Sequence, residues 1–263
     1  ALVRKRIRNA KLKVKEKTLG VRSQTLVQIL YMEELVRPEL LDELDRRLES
    51  FEIDGVMDSG IVEHLAEENW LSPFPQFQTS ERPDKCAMEI LNGRVLVLVD
   101  NSPMGILLPA AFNDFLQVSE DEYNHFELAS FLRIIRYIAA AFAMLFSGAY
   151  LAVTNFHTQV LPTNLILSFA EARKGVPFPG ILEVFFMEVA FESIREAGVR
   201  APGPLGGTIG IVGGLIIGQA AVEANLVSPI VVVVVAVTAL ATLAIPNEEF
   251  TAPFRLLKFG FIL

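Results

Sequence analysis

Glu188, Glu192 and Glu196 recur at four-residue spacing in an otherwise apolar stretch, which places three carboxylates on one stripe of a helix. Carboxylates on an apolar helix are costly unless they meet a cation, a hydrogen-bond donor or water. Such a stripe therefore lines a polar interior within a bundle or lies at a membrane interface, and the spacing does not choose between these. A second pattern follows it. At 100° per residue, Gly206, Gly207, Gly210, Gly213, Gly214 and Gly218 fall on one side of a helix, and Thr208, Val212, Leu215, Gln219 and Glu223 fall on the other. A glycine face lets a neighbouring helix approach closely. If copies of this helix ring an axis with the second stripe inward, Val212 and Leu215 close the lumen by dewetting, while Gln219 and Glu223 offer a wetted mouth that favours cations. The same residues also suit plain close packing, with Gln219 hydrogen-bonded to a neighbour.

Nothing in the chain assembles bond-making chemistry. No Gly-rich phosphate loop follows a strand, and no His/Cys/carboxylate cluster has ligand spacing. His64, His125 and His157 lie far apart and read as surface or interface residues. No catalytic residue, metal ligand or cofactor is expected, and an enzyme is the least supported class. Cys86 is the single cysteine, which excludes an internal disulfide framework and suits a reducing compartment.

The composition divides the chain. Residues 1–126 carry 15 Lys and Arg against 22 Asp and Glu, whereas residues 127–263 carry 8 and 9, with no Asp beyond Asp121. The first part reads as an acidic α/β domain. Its basic run from Arg4 to Lys17 reads as a solvated helix, Thr25–Tyr31 as a strand, and Glu39–Phe51 as a helix opened by Pro38. A second helix covers Ser59–Asn69. The proline-broken segment Trp70–Pro75 reads as a rigid connector whose aromatics pack into the core. Arg94–Val99 and Met104–Leu108 make a hairpin.

The second part reads as an all-α transmembrane bundle. Spans are expected at about 131–153, 206–223 and 226–246, amphipathic helices at about 162–173 and 181–197, and a further span from about 252. The arm 226–246, with its valine run, reads as an ordinary lipid-facing span. Arg133 and Arg136, beside a long acidic domain, place that domain on the cytoplasmic side. The chain opens on Ala1 with no signal peptide and closes inside an apolar run, so it reads as a fragment of a longer chain.

Five motifs carry a resemblance: WLSPFPQ from Trp70, TSERPD from Thr79, ARKGVPFP from Ala172, REAGVR from Arg195, and IGQAAVEANLVSP from Ile217. Together and in this order they resemble the A subunit of the GerA-type spore germinant receptors over nearly the whole chain. Two positions depart from that pattern: Asn225 stands where Gly is expected, and Asn101-Ser102 replaces a Gly-Thr at the hairpin turn. The resemblance implies a subunit of a multi-subunit receptor in the spore inner membrane. Its implied partners are a transporter-like B subunit, a further C subunit, other copies of itself and the lipid bilayer, with no nucleic acid. It implies a role in turning nutrient sensing into ion release. Two classes stay open: an oligomeric ligand-gated ion channel, and a transporter component or non-conducting scaffold that positions a nutrient-binding partner. The glycine helix and the absence of internal repeats favour the channel.

Overall fold

Runs of β-branched and aliphatic residues build a five-stranded sheet: β1 (Leu12–Leu19), β2 (Thr25–Met32), β3 (Gln78–Ser80), β4 (Val95–Val99) and β5 (Gly105–Leu108). The computed structural model describes every residue except Phe51, Trp70, Gly203 and Pro204, and only the backbone of Leu205. By contact it divides into two units, Ala1–His125 and Phe126–Leu263.

In the first unit the strand order is β1-β2-β4-β5-β3 and every pairing is antiparallel. The expected α/β domain takes the form of an antiparallel sheet with helices on both faces. Alternation along the strands decides which side chain meets which layer. Val27, Ile29, Val95, Val97, Val99, Ile106 and Leu108 face α2 (Pro38–Glu49) and α3 (Ser59–Ala66), meeting Leu44, Leu48 and Val62. Leu30, Met32, Leu96 and Leu107 face the opposite layer, formed by α1 (Leu2–Arg6) and α4 (Pro83–Leu91), meeting Val3, Ile7, Cys86 and Ile90. Each of these buried aliphatics contributes about 1.5–3 kcal/mol.

The basic run is not one helix. Only Leu2–Arg6 is helical, and Leu12–Leu19 is the edge strand. The period is two. Leu12 and Val14 turn to the second layer, while Lys17 pairs with Asp45 at 2.7 Å and Glu49 at 2.6 Å, and Lys15 pairs with Asp45. Lysines at alternate positions also protect an edge strand from pairing with other chains. The helix expected to Asn69 ends at Ala66. Trp70 of the connector lies outside the described residues; in the rest of that segment Leu71 is exposed, while nearby Phe77 is buried in the core.

The segment leaving the sheet is tied down by charge and by hydrogen bonds. Arg94 Nη2 meets Asp114 Oδ1 at 2.7 Å, Gln78 Nε2 donates to the Asp114 carbonyl at 2.7 Å, and Arg82 pairs with Glu120. This holds the short helix α5 (Phe112–Leu116), whose Phe115 and Leu116 are buried.

Burial pushes the Cys86 thiol up to about 11. The folded state therefore holds this proton more tightly than the unfolded chain, and the contribution to stability is lost as pH rises from about 9 towards about 11. A thiol reagent at pH 8 should leave Cys86 unmodified in the native protein and modify one thiol per chain in denaturant. Rapid native labelling would contradict the burial of this side chain.

The second unit is helical: α6 (Phe126–Phe156), α7 (Thr163–Ala172), α8 (Gly180–Arg200), α9 (Leu205–Glu223), α10 (Pro229–Leu243) and α11 (Glu248–Ile262). α6 presents small residues inward, with Ala139, Ala140, Ala143 and Ser147 buried, and large ones outward, with Phe131, Ile134, Ile138 and Phe142 exposed. Gly148 continues the small face. A Cβ there would sit 2.6 Å from the Phe261 carbonyl, so α11 reaches this depth only over glycine.

By length and composition two helices are long and apolar enough to cross a membrane, Phe126–Phe156 and Gly206–Glu223. α10 differs from its expected form. Ser228 stands at its N-terminal boundary without a side-chain cap bond, Pro229 occupies its first turn, and its 15 residues stop at Leu243. Nor does it face outward along its length: Val231, Val234, Val235, Thr238, Ala239, Ala241 and Thr242 are buried among its neighbours.

Candidate functional site

The acidic stripe meets a basic one. Glu188 lies on α8 with its side chain 0% exposed, and Lys258 of α11 reaches it at 2.7 Å from a side chain only 2% exposed. Ser147 of α6 donates its hydroxyl to Glu188 Oε1 at 2.6 Å, and Thr238 of α10 stands 3.0 Å behind that hydroxyl. Four helices thus converge on one carboxylate. One turn along, Glu192 takes Arg255 of α11 at 2.6 Å and lies 3.6 Å from Lys258. Glu196, a further turn on, pairs with Arg200 of its own helix at 2.5 Å, well exposed. Arg195 donates to Thr242 Oγ1 at 3.3 Å, joining α8 to α10.

The arrangement follows from spacing. Carboxylates at i and i+4 on α8 face cations at i and i+3 on α11, and the order of pairs, Lys258 with Glu188 and Arg255 with Glu192, makes the two helices antiparallel. A lysine and a glutamate buried together exchange hydration for mutual attraction, and only the remaining donors make the exchange tolerable. Here Ser147 supplies the other contact to Glu188.

A second buried carboxylate anchors the near end of α8. Glu183, 0% exposed, accepts from Arg173 Nε at 3.2 Å, with Nη2 of the same guanidinium in ion-pair range at 3.2 Å, and from the Ser228 backbone N–H at 2.8 Å. It therefore satisfies a free amide at the start of α10 and ties the end of α7 to it. Neither Glu183 nor Lys258 stands among the residues singled out from sequence. The available signal was a lysine three residues after an arginine inside an apolar run, matched to a glutamate 70 positions earlier.

The glycine helix is placed differently. α9 packs along α8: a Cβ at Gly206 would run into the Gly198 carbonyl, and one at Gly213 would lie 3.2 Å from Ile194. Gly218 faces Val232 of α10. Gly207, Gly210 and Gly214 have nothing within 4 Å of an added Cβ. The opposite stripe, Thr208, Val212, Leu215, Gln219 and Glu223, is exposed along its whole length. Within it Gln219 Nε2 donates to Glu223 Oε1 at 2.9 Å. The acidic stripe, by contrast, turns to α11 in the same chain, and α8 buries Gly180, Glu183, Val184, Met187 and Glu188 inside the helical unit.

Asn225 and Asn101 each have a backbone reason. Asn225 joins α9 to α10 at φ +52°, and Asn101 turns the β4–β5 hairpin at φ +67°. Glycine adopts this left-handed region freely, and asparagine is the side chain that visits it most readily otherwise. Asn225→Gly should leave stability within about 0.5 kcal/mol, whereas Asn225→Val should cost about 1–2 kcal/mol. Thermal unfolding of the purified full-length subunit measures both, and equal midpoints for the two variants would refute this account of the turn.

Among the described residues no group of three or more His, Cys, Asp and Glu is arranged to hold a metal ion. His64, His125 and His157 are all exposed.

The family model for the Bacillus/Clostridium GerA spore germination protein matches residues 1–263. Spore germination protein GerLA of Bacillus cereus is 43% identical over 262 residues, covering 100% of this chain and 53% of that protein. Spore germination protein A1 of Bacillus subtilis is 42% identical over 259 residues, covering 98% and 54%. Spore germination protein KA of the same species is 39% identical, covering 100% and 48%. A solved structure, the N-terminal domain of the A subunit of the Bacillus megaterium spore germinant receptor GerK3, is 33% identical over 42% of this chain and 88% of that chain, with a TM-score of 0.34. The chain spans about half the length of the curated relatives it matches. With a family model matching from the first residue to the last, the chain belongs to the GerA family of spore germination proteins.

Proposed function

We propose that this chain is part of the A subunit of a nutrient germinant receptor, that residues 126–263 are a membrane bundle, and that copies of the subunit assemble into a ligand-gated ion channel lined by α9. The observation that carries the reading is the condition of α9. It is apolar enough to cross a bilayer, it packs on its own chain along one side, and the stripe Thr208, Val212, Leu215, Gln219 and Glu223 stands exposed on the other. A membrane helix exposing Gln219 and Glu223 requires a polar neighbour or water. A ring of such helices supplies both, with Gly207, Gly210 and Gly214 open to an adjoining copy. The large apolar face of α6 is what lipid would cover.

The implied partners are the B and C subunits of the same receptor, and the implied place is the spore inner membrane. Arg133 and Arg136, at the start of the first apolar helix, support a sheet domain on the core side. The test is conductance of the full-length subunit in planar bilayers, alone and with its partner subunits, with and without nutrient. An assembled, inserted complex that never conducts would leave the scaffold reading in its place. Orientation is read from Met57→Cys, a position 72% exposed. An impermeant thiol reagent should label it only after right-side-out vesicles are opened.

A further inference from the structure

The α8–α11 interface carries more rungs than it uses. Glu188, Glu192 and Glu196 form a ladder of three acids one turn apart, while α11 offers two cations, Lys258 and Arg255, at matching separation. In the observed register Lys258 meets Glu188 and Arg255 meets Glu192. If α11 moves one turn towards the end of α8, Lys258 meets Glu192 and Arg255 meets Glu196, so both cations stay paired.

We propose that this interface is a two-position ratchet, in which α11 shifts by one helical turn along α8 between these registers. Three observations support the second position. The Lys258 ammonium already lies 2.7 Å from Glu188 and 3.6 Å from Glu192, between two rungs. Beside the next rung lies an open depression of about 590 Å³ lined by Glu192, Ser193, Glu196, Arg200, Arg255 and Phe259, which leaves room for the Arg255 side chain to advance. Among the described residues Glu196 is held by Arg200, an exposed partner on its own helix that it can exchange.

α11 is the moving member. Glu183 fixes α8 to the Ser228 amide and to Arg173, whereas α11 meets α6 with its Phe261 backbone seated over Gly148. Packed helices have discrete alternative arrangements, and a one-turn step is a known mode of switching. The observed register is favoured because the shifted one leaves Glu188 buried with the Ser147 hydroxyl but no cation. Removing the charge of Glu188 removes that penalty.

The experiment places spin labels at Leu182 on α8 and Leu256 on α11, both exposed, in the Cys86→Ala full-length subunit in lipid nanodiscs. Distances are read by double electron–electron resonance. Glu188→Gln should add a population lengthened by about one pitch, roughly 5 Å, and Glu188→Gln combined with Glu196→Gln should diminish it. If glutamine at 188 prevents assembly, Glu188→Met removes the charge at similar volume and should produce the same longer distance. A distance distribution unchanged from wild type in whichever of these variants assembles would overturn the ratchet. The readout is a distance within one subunit, so that result would leave the pore reading standing.

Discussion

Lys258→Met should destabilise the helical unit by about 3–5 kcal/mol, because it strands a fully buried carboxylate without its cation. The methionine fills most of the lysine's volume, so packing is nearly conserved and the loss reports charge. Removing the matching charge should restore most of it: Lys258→Met with Glu188→Gln leaves an amide that can still accept from Ser147. Arg200→Ala provides the contrast. Its partner Glu196 is exposed, and such a pair contributes about 0–1 kcal/mol. Thermal unfolding of the full-length subunit in detergent ranks the variants. A single variant as stable as wild type, or a double variant no better than the single, would show that the pair does not hold α8, α6 and α11 together.

On the proposed pore reading, Val212→Ser or Leu215→Ser should make the reconstituted full-length subunit and its partners conduct without nutrient. A dry constriction closes by excluding water, and replacing one of its apolar side chains by a hydroxyl removes about 1.5–3 kcal/mol from the closed state. That corresponds to a rise of roughly 10- to 100-fold in leak. The control is Ala236→Val on α10, an exposed position. Ala241 is unsuitable, since it is buried and a larger side chain would overpack its site. Inserted, assembled protein that stays closed in both serine variants would remove α9 from the lumen. The acidic stripe offers no ready substitute, since Glu188 and Glu192 already meet Lys258 and Arg255 of the same chain.

The sheet was legible where side chains are β-branched and the turn carries its own chemistry. Thr25–Met32 and the Val95–Leu108 hairpin follow directly from such residues. β1 was not legible, because Lys13, Lys15 and Lys17 give it the polarity of a solvated helix, and their purpose appears only when Glu33 stands by Lys13 and Asp45 and Glu49 lie opposite Lys15 and Lys17. Strand direction was also hidden. Helices between strands suggest parallel crossovers, yet β2 and β4 are antiparallel across an intervening stretch of more than 60 residues. In the helical unit the stripes on α8 and α9 could be read from angle alone. The partner of the first could not, because helical periodicity reports which residues share a face and is silent on what that face meets. Lys258 looked like an interruption in an apolar run until Glu188 was found beside it.

The 70-residue separation of Glu188 and Lys258 also has a meaning for biosynthesis. Ribosomes extend a chain at about 5–20 residues per second, so the glutamate precedes its lysine by roughly 4–14 s. During that interval α8 carries an unmatched acid that hydrocarbon would reject. For a chain delivered into a bilayer, α8 has to wait at the insertion machinery, at the headgroup level or beside another polar helix until α11 arrives. The two then leave water as a neutral couple. A ribosome stalled just short of Lys258 would release a protein with every acidic residue of the ladder and no means of burying the deepest one, a substrate for membrane quality control rather than a smaller working protein.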